Sequence, residues 1–184
     1  SSSKSVDDYS SLASTEKKTI AVIEDCLNHI GIAVDVKAKM NETIQALKDA
    51  GHTIQMVSFP YLDYMVPAYY VLTTAEASSN LSRFDGVHYG HRSSEAQGVE
   101  QTYKKSRSEG FGPEVQRRIM AGTFVLSQGY YDAYYTKAQR VRAVLKNKTD
   151  ELLKSADFIL MPTTPSSAFP IGNLSDPIQM YLQD

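Results

Sequence analysis

One arginine asks for a chemical role before any element is assigned. Between Tyr130 and Lys154, a turn of ~100° per residue gathers Tyr131, Tyr134, Ala138, Val141, Leu145 and Leu152 on one arc. Arg142 falls within or at the edge of that arc, beside Tyr131 and Tyr135, whereas Arg140 points to the polar side. A guanidinium on a buried face needs a carboxylate or equivalent acceptor, because an unpaired buried charge is costly. Its planar fork binds a carboxylate through two parallel hydrogen bonds. Two readings follow: a structural ion pair or a side chain that snorkels to the surface, and a clamp for a ligand's carboxylate.

Other residues carry weaker signals. Ser78-Ser79-Asn80 follow Glu76, as a serine nucleophile and its base would, yet a polar helix end explains them as well. Glu24-Asp25 sit at a strand end, where solvated carboxylates are ordinary. Lys104, Lys105, Arg107, Arg117 and Arg118 read either as a basic patch or as charged helix faces. Cys26 reads as a small buried hydrophobe. His29, His52, His88 and His91 show no zinc-ligand spacing, and the chain has neither a glycine-rich phosphate loop nor a GxSxG elbow.

The elements that position these residues can be read in order. Thr19–Glu24 is a buried strand. Val36, Met40, Ile44 and Leu47 recur at helical spacing, with Asp35 at the start and Gly51 past the end. His52–Phe59 is a second strand closed by Pro60, which makes a βαβ unit. A helix covers Tyr64–Leu81, and Asp85–Gly98 is irregular. The next helix begins at Pro113 and runs towards Gln128, burying Val115, Ile119, Met120 and Leu126. A long helix spans Tyr130–Lys154, Phe158–Met161 forms a last short strand, and Pro162–Pro177 is extended or looped.

Bulk composition narrows the function class. The chain is 42% hydrophobic and 22% charged, as a soluble α/β protein is. A net charge of −2 supplies no sequence-wide field towards RNA or an anionic membrane. With one cysteine there is no internal disulfide, which fits a reducing compartment. No apolar run approaches the ~20 residues of a membrane helix, and Ser1–Ser14 lacks the apolar core of a signal peptide. Residues 1–14 read as a polar linker or engineered remnant, and the cytoplasm is the expected location.

Two stretches carry a specific resemblance: AEASSNLSRFDGVHYGHR, from Ala75 to Arg92, and SRSEGFGPEVQRRIMAGTFVLSQGYYDAYYTKAQRVR, from Ser106 to Arg142. Both resemble the glutaminase (A) subunits of the glutamyl-tRNA(Gln)/aspartyl-tRNA(Asn) amidotransferases, within the amidase signature family. FILMPTTPSSAFPIG and DPIQMYLQD fit the same family, as does the βαβ unit. The resemblance implies an α/β segment of the amidase signature fold, a mixed sheet covered by helices. Residues 15–184 would be a partial amidase domain, truncated at both ends.

The family hydrolyses glutamine to glutamate and ammonia, for the amidation of mischarged tRNA by a partner subunit. The resemblance therefore implies the B and C subunits as partners in a heterotrimer, with ATP and magnesium used by the partner and no cofactor in this chain. The family's lysine and two serines lie in a Gly/Ser-rich signature that matches nothing here. They are expected upstream, which would leave this chain without activity, and an acid for the glutamine amino group is expected beyond Asp184. Arg142 aligns with the arginine that holds the glutamine α-carboxylate. His91 aligns with a pocket tyrosine of many relatives and departs from it, while a histidine there can still donate a hydrogen bond. Another amidase signature hydrolase, or a binding and association module, are the alternatives.

Overall fold

The computed structural model describes residues 5, 6, 8, 9 and 15–170, which fall into two compact units. The segment DPIQMYLQD and most of residues 1–14 lie outside the described residues.

The first unit comprises residues up to Phe59 and from Asp150 onwards. Its sheet has the order β2 (Thr53–Val57), β1 (Thr19–Ile23), β3 (Phe158–Leu160), with both pairings parallel. β1 is central and apolar along its length because both neighbours and a helical layer cover it; Val22 is fully buried. A short helix α1 (Glu24–Asn28) follows, then α2 (Val34–Asp49). Val22, Leu27 and Ile44 form the core, with Ile32, Met40, Ile54 and Leu160 packed against it. The inward stripe anticipated for α2 is therefore present, and the βαβ unit with it.

Glycine ends α2. Gly51 takes φ 89°, its N–H donates to Lys48 O at 2.8 Å, and His52 N–H donates to Leu47 O at 3.0 Å, the double closure of a left-handed helix end. β3 is latched to β1 by Asp157, whose carboxylate accepts the Thr19 N–H at 2.7 Å while its own N–H donates to Thr19 O at 2.8 Å. Asp25 is not the solvated carboxylate expected from its place at a strand end. It is partly buried and accepts the Phe59 N–H, holding the exit of β2. Cys26 is of intermediate exposure, and burial followed by the Asp25 charge pushes its thiol up, away from the thiolate a nucleophile needs.

The second unit, Pro60–Thr149, is helical. A 3-10 turn at Leu62–Tyr64 leads into α3 (Met65–Leu81), with Pro67 in its first turn, where a missing N–H costs nothing. α4 (Gly98–Gly110), α5 (Pro113–Val125) and α6 (Lys137–Leu152) follow. α3 and α5 pack at Gly122, where a Cβ would fall 2.6 Å from the Thr74 carbonyl carbon and 2.7 Å from Ser78 Cβ. Only glycine permits that approach. It also sets the phase of α5: Val115, Ile119 and Leu126 turn inward, but Met120 lies on the other side and is 71% exposed, against expectation.

The long helix from Tyr130 is interrupted. Asp132–Thr136 forms a π turn, in which Thr136 N–H donates to Tyr131 O at 3.0 Å. One residue more per turn than in an α-helix shifts the helical phase by ~100°. Beyond it, Ala138, Val141, Leu145 and Leu152 keep the inward stripe, while Tyr131, just before the turn, and Tyr134, within it, are rotated out, each 43% exposed. Arg142, on the flank of that stripe, is exposed rather than buried.

Candidate functional site

The residues of the Asp85–Gly98 segment are ordered by α4, the helix that apolar periodicity overlooks. Its inner face is built from hydroxyls: Thr102 and Ser106 are 6% and 2% exposed. The segment begins with a tight turn in which the Asp85 carboxylate accepts the Val87 and His88 N–H groups at 2.8 and 3.1 Å. Those two backbone bonds hold the Asp85 carboxyl below its usual range. Gly86 takes φ 77°, and a Cβ there would stand 2.5 Å from Ser106 Cβ and 3.0 Å from His91 O, so the turn sits directly on α4.

Further along, the Ser93 N–H donates to Ser106 Oγ at 3.0 Å. The Ser93 hydroxyl donates to Glu109 Oε1 at 2.9 Å, and His91 Nε2 meets Glu109 Oε2 at 2.9 Å. One carboxylate thus takes two partners, one on each oxygen. The His91 contact first, and the Ser93 hydroxyl second, hold the Glu109 carboxyl below its usual range. Lys105 Nζ donates to Glu95 O at 3.0 Å, and Arg107 donates to Leu81 O and Phe84 O at 2.8 and 3.1 Å, tying the end of α3 to the same helix. His91 remains on the surface, with a side chain 49% exposed.

Arg142 stands one turn beyond the buried Ala138 on α6. Its side chain makes no hydrogen bond or ion pair among the described residues, nor do the side chains of Lys137 and Arg140. The structural ion pair, one of the two readings of Arg142, therefore has no partner among the described residues. No hydrogen bond joins Arg142 to His91 either; both belong to the second unit, on α6 and on the segment ahead of α4.

The remaining candidates are absorbed by structure. Ser78 Oγ lies 2.9 Å from Thr123 Oγ1 across the α3–α5 contact, and Asn80 Nδ2 donates to Glu76 at 3.4 Å, so the pattern around Ser79 is a helix end. The five basic residues do not pool into a patch. Lys104 pairs with Glu100 at 2.6 Å, Lys105 with Glu95 at 3.6 Å, and Arg117 and Arg118 with Glu114 at 2.8 and 3.0 Å. Arg107 spends its donors on carbonyls and lies 5.1 Å from the Phe111 ring. Among the described residues no three His, Cys, Asp or Glu side chains cluster as metal ligands would, and no helix is long and apolar enough to cross a membrane.

Glu109 and Ser93 were not singled out from sequence. The signal for α4 was a charge pair at i and i+4, Glu100 and Lys104, rather than an apolar stripe.

Residues 1–184 match the family model described as Amidase. The chain belongs to the amidase family. The A subunit of glutamyl-tRNA(Gln) amidotransferase from Staphylococcus epidermidis is 50% identical over 155 residues, covering 84% of this amidase-family chain and 32% of that protein. The protein of the same name from Campylobacter fetus subsp. fetus is 50% identical over 173 residues, covering 94% and 38%. Among solved structures, the A subunit of the Thermotoga maritima glutamyl-tRNA(Gln) amidotransferase superposes with a TM-score of 0.63 at 36% identity, over 92% of this chain and 32% of that one. A crystal structure of an amidase, 21% identical with a TM-score of 0.63 over 86% of this chain and 30% of that one, shares the fold alone. The chain spans about a third of the length of the curated relatives it matches. Its α/β architecture is that of an amidase-family segment.

Proposed function

We propose that this chain is part of the glutamine-hydrolysing subunit of a tRNA-dependent amidotransferase. The parent protein supplies ammonia for converting Glu-tRNA(Gln) to Gln-tRNA(Gln), or Asp-tRNA(Asn) to Asn-tRNA(Asn). The observation that carries the reading is Arg142: an exposed guanidinium on α6, with no side-chain acceptor of its own among the described residues. A fork left open in this way is ready for a substrate carboxylate. The 50% identity to amidotransferase A subunits supports the choice of glutamine as that substrate.

In this reading Arg142 binds the glutamine α-carboxylate, and His91 lines the same pocket where many relatives carry tyrosine. A serine outside these residues attacks the side-chain amide, ammonia leaves, and water then frees glutamate from the acyl-enzyme. The ammonia is used by a partner, the B subunit, which activates the mischarged tRNA with ATP and magnesium. A small C subunit completes a cytoplasmic heterotrimer.

The test is ammonia release from glutamine by the full-length protein. Arg142→Ala is expected to lower kcat/KM for glutamine roughly 30- to 700-fold, the equivalent of ~2–4 kcal/mol for a charge-assisted bidentate contact. A change under about threefold would remove Arg142 from the site.

A further inference from the structure

The reading of His91 as a wall of the glutamine pocket leaves open which way its ring presents a proton. A carboxylate carries no proton of its own, so the 2.9 Å contact between His91 Nε2 and Glu109 Oε2 is an N–H donated by the ring. We propose that Glu109 is a positioning residue that places the His91 proton on Nε2, leaving Nδ1 as the acceptor for an N–H group of the substrate. The inference rests on the glutamine reading and deepens it.

Three features make Glu109 suited to this task. Its second oxygen is occupied by the Ser93 hydroxyl at 2.9 Å, which stops the carboxylate from swinging. Ser93 is itself fixed, at 6% exposure and with its N–H on Ser106 Oγ at 3.0 Å. The next residue is Gly110, where a Cβ would stand 3.1 Å from His91 Cβ, so the imidazole is seated close on the end of α4. The bonds from His91 and Ser93 keep the carboxyl below its usual range and therefore charged. Nδ1 makes no hydrogen bond among the described residues.

The chemical consequence is selective. A tyrosine hydroxyl both donates and accepts, and needs no such control. A neutral imidazole protonated at Nε2 can only accept at Nδ1. Glutamine offers two groups that suit it, the α-ammonium and the side-chain amide N–H.

Glu109→Gln tests this without removing the hydrogen bonds. The carboxamide oxygen can keep the Ser93 hydroxyl while its NH2 donates to His91 Nε2, which drives the ring proton to Nδ1. Long-range 1H–15N spectra of the 15N-histidine-labelled full chain resolve four rings. The Nε2–H pattern is expected for His91 in the unaltered chain and the Nδ1–H pattern in Glu109→Gln; the same pattern in both overturns the proposal.

In the full-length protein, Glu109→Gln is expected to raise the glutamine KM roughly tenfold, as loss of one hydrogen bond to a polar substrate does, with kcat within about twofold. His91→Tyr should make KM insensitive to Glu109→Gln, whereas an equal rise in that background means a merely structural role and refutes the tautomer argument. The γ-methyl ester of glutamate separates the two donors. If the effect persists with the ester the group is the ammonium, and if it vanishes the group is the amide; either supports the proposal. Should KM stay unmoved in Glu109→Gln while Arg142→Ala raises it, the role of Glu109 falls and the glutamine site stands. Should neither move, the glutamine reading falls too.

Discussion

Replacing Gly122 by alanine adds one methyl group to a helix, which on an exposed face would stabilise it by ~0.5–1 kcal/mol. Here the sign reverses. The new Cβ would lie 2.6 Å from the Thr74 carbonyl carbon and 2.7 Å from Ser78 Cβ, where ordinary contact begins at 3.4 Å. The carbonyl belongs to a helical backbone and cannot rotate away, so α3 and α5 must separate by about 1 Å. That also stretches the 2.9 Å bond between Ser78 and Thr123. Overpacking of this kind costs ~1–3 kcal/mol.

Urea unfolding followed by the helical circular dichroism signal measures it. With a slope of ~2 kcal/mol per molar, Gly122→Ala should lower the midpoint by roughly 0.5–1.5 M. Gly112, at the start of the same helix, is the control: a Cβ there meets nothing within 4 Å, and its φ of −65° suits any residue. Gly112→Ser supplies a side-chain cap and should raise the midpoint slightly, by a few tenths of a kcal/mol. A Gly122→Ala midpoint at or above that of the unaltered chain would refute the close approach of the two helices.

Acidification should loosen the segment carrying His91 early. Asp85 and Glu109 are both depressed from their ordinary values of 3.8 and 4.5, so their stabilising contribution is complete above those values and is lost as pH falls through the lower folded ones. Hydrogen-exchange protection at Val87 and Ser93, corrected for intrinsic rate, is expected to fall below about pH 4 before that of β1; unchanged protection at pH 3 would contradict this. Gly51→Ala forces a side chain to φ 89° and should cost ~1–2 kcal/mol in thermal or urea melts of the first unit. Arg142→Lys keeps the charge and loses the fork, so kcat/KM for glutamine should fall between the unaltered and alanine values. The folded chain by itself should release no ammonia from glutamine.

Much of the fold was legible because its elements announce themselves in ways local sequence can show. β1 is a continuous apolar run, α2 carries one clean stripe ended by Gly51, and α5 starts on Pro113. What escaped depended on partners distant in sequence. α4 buries Thr102 and Ser106 against a turn that only Gly86 can form, so no apolar period betrays it. The π turn at Asp132–Thr136 rotates Tyr131 and Tyr134 out of a face that a constant 100° step had joined to Ala138. The same step brought attention to Arg142, although the physical premise, a buried guanidinium, does not hold: the side chain is exposed, and its interest lies in having no partner among the described residues.

The neighbour of β1 on its second side comes from far along the chain: Thr19 is latched by Asp157, 138 residues later. A ribosome adding about 5–20 residues per second needs roughly 5–20 seconds to pass from the end of β2 to β3. Throughout that interval the most apolar strand of the protein has one edge without its partner. The helical segment Pro60–Thr149 is made in the meantime. Each doubling of the chain between two strands adds only ~0.6 kcal/mol to the entropy of closing it, so the long intervening segment delays the third strand far more than it weakens the finished sheet.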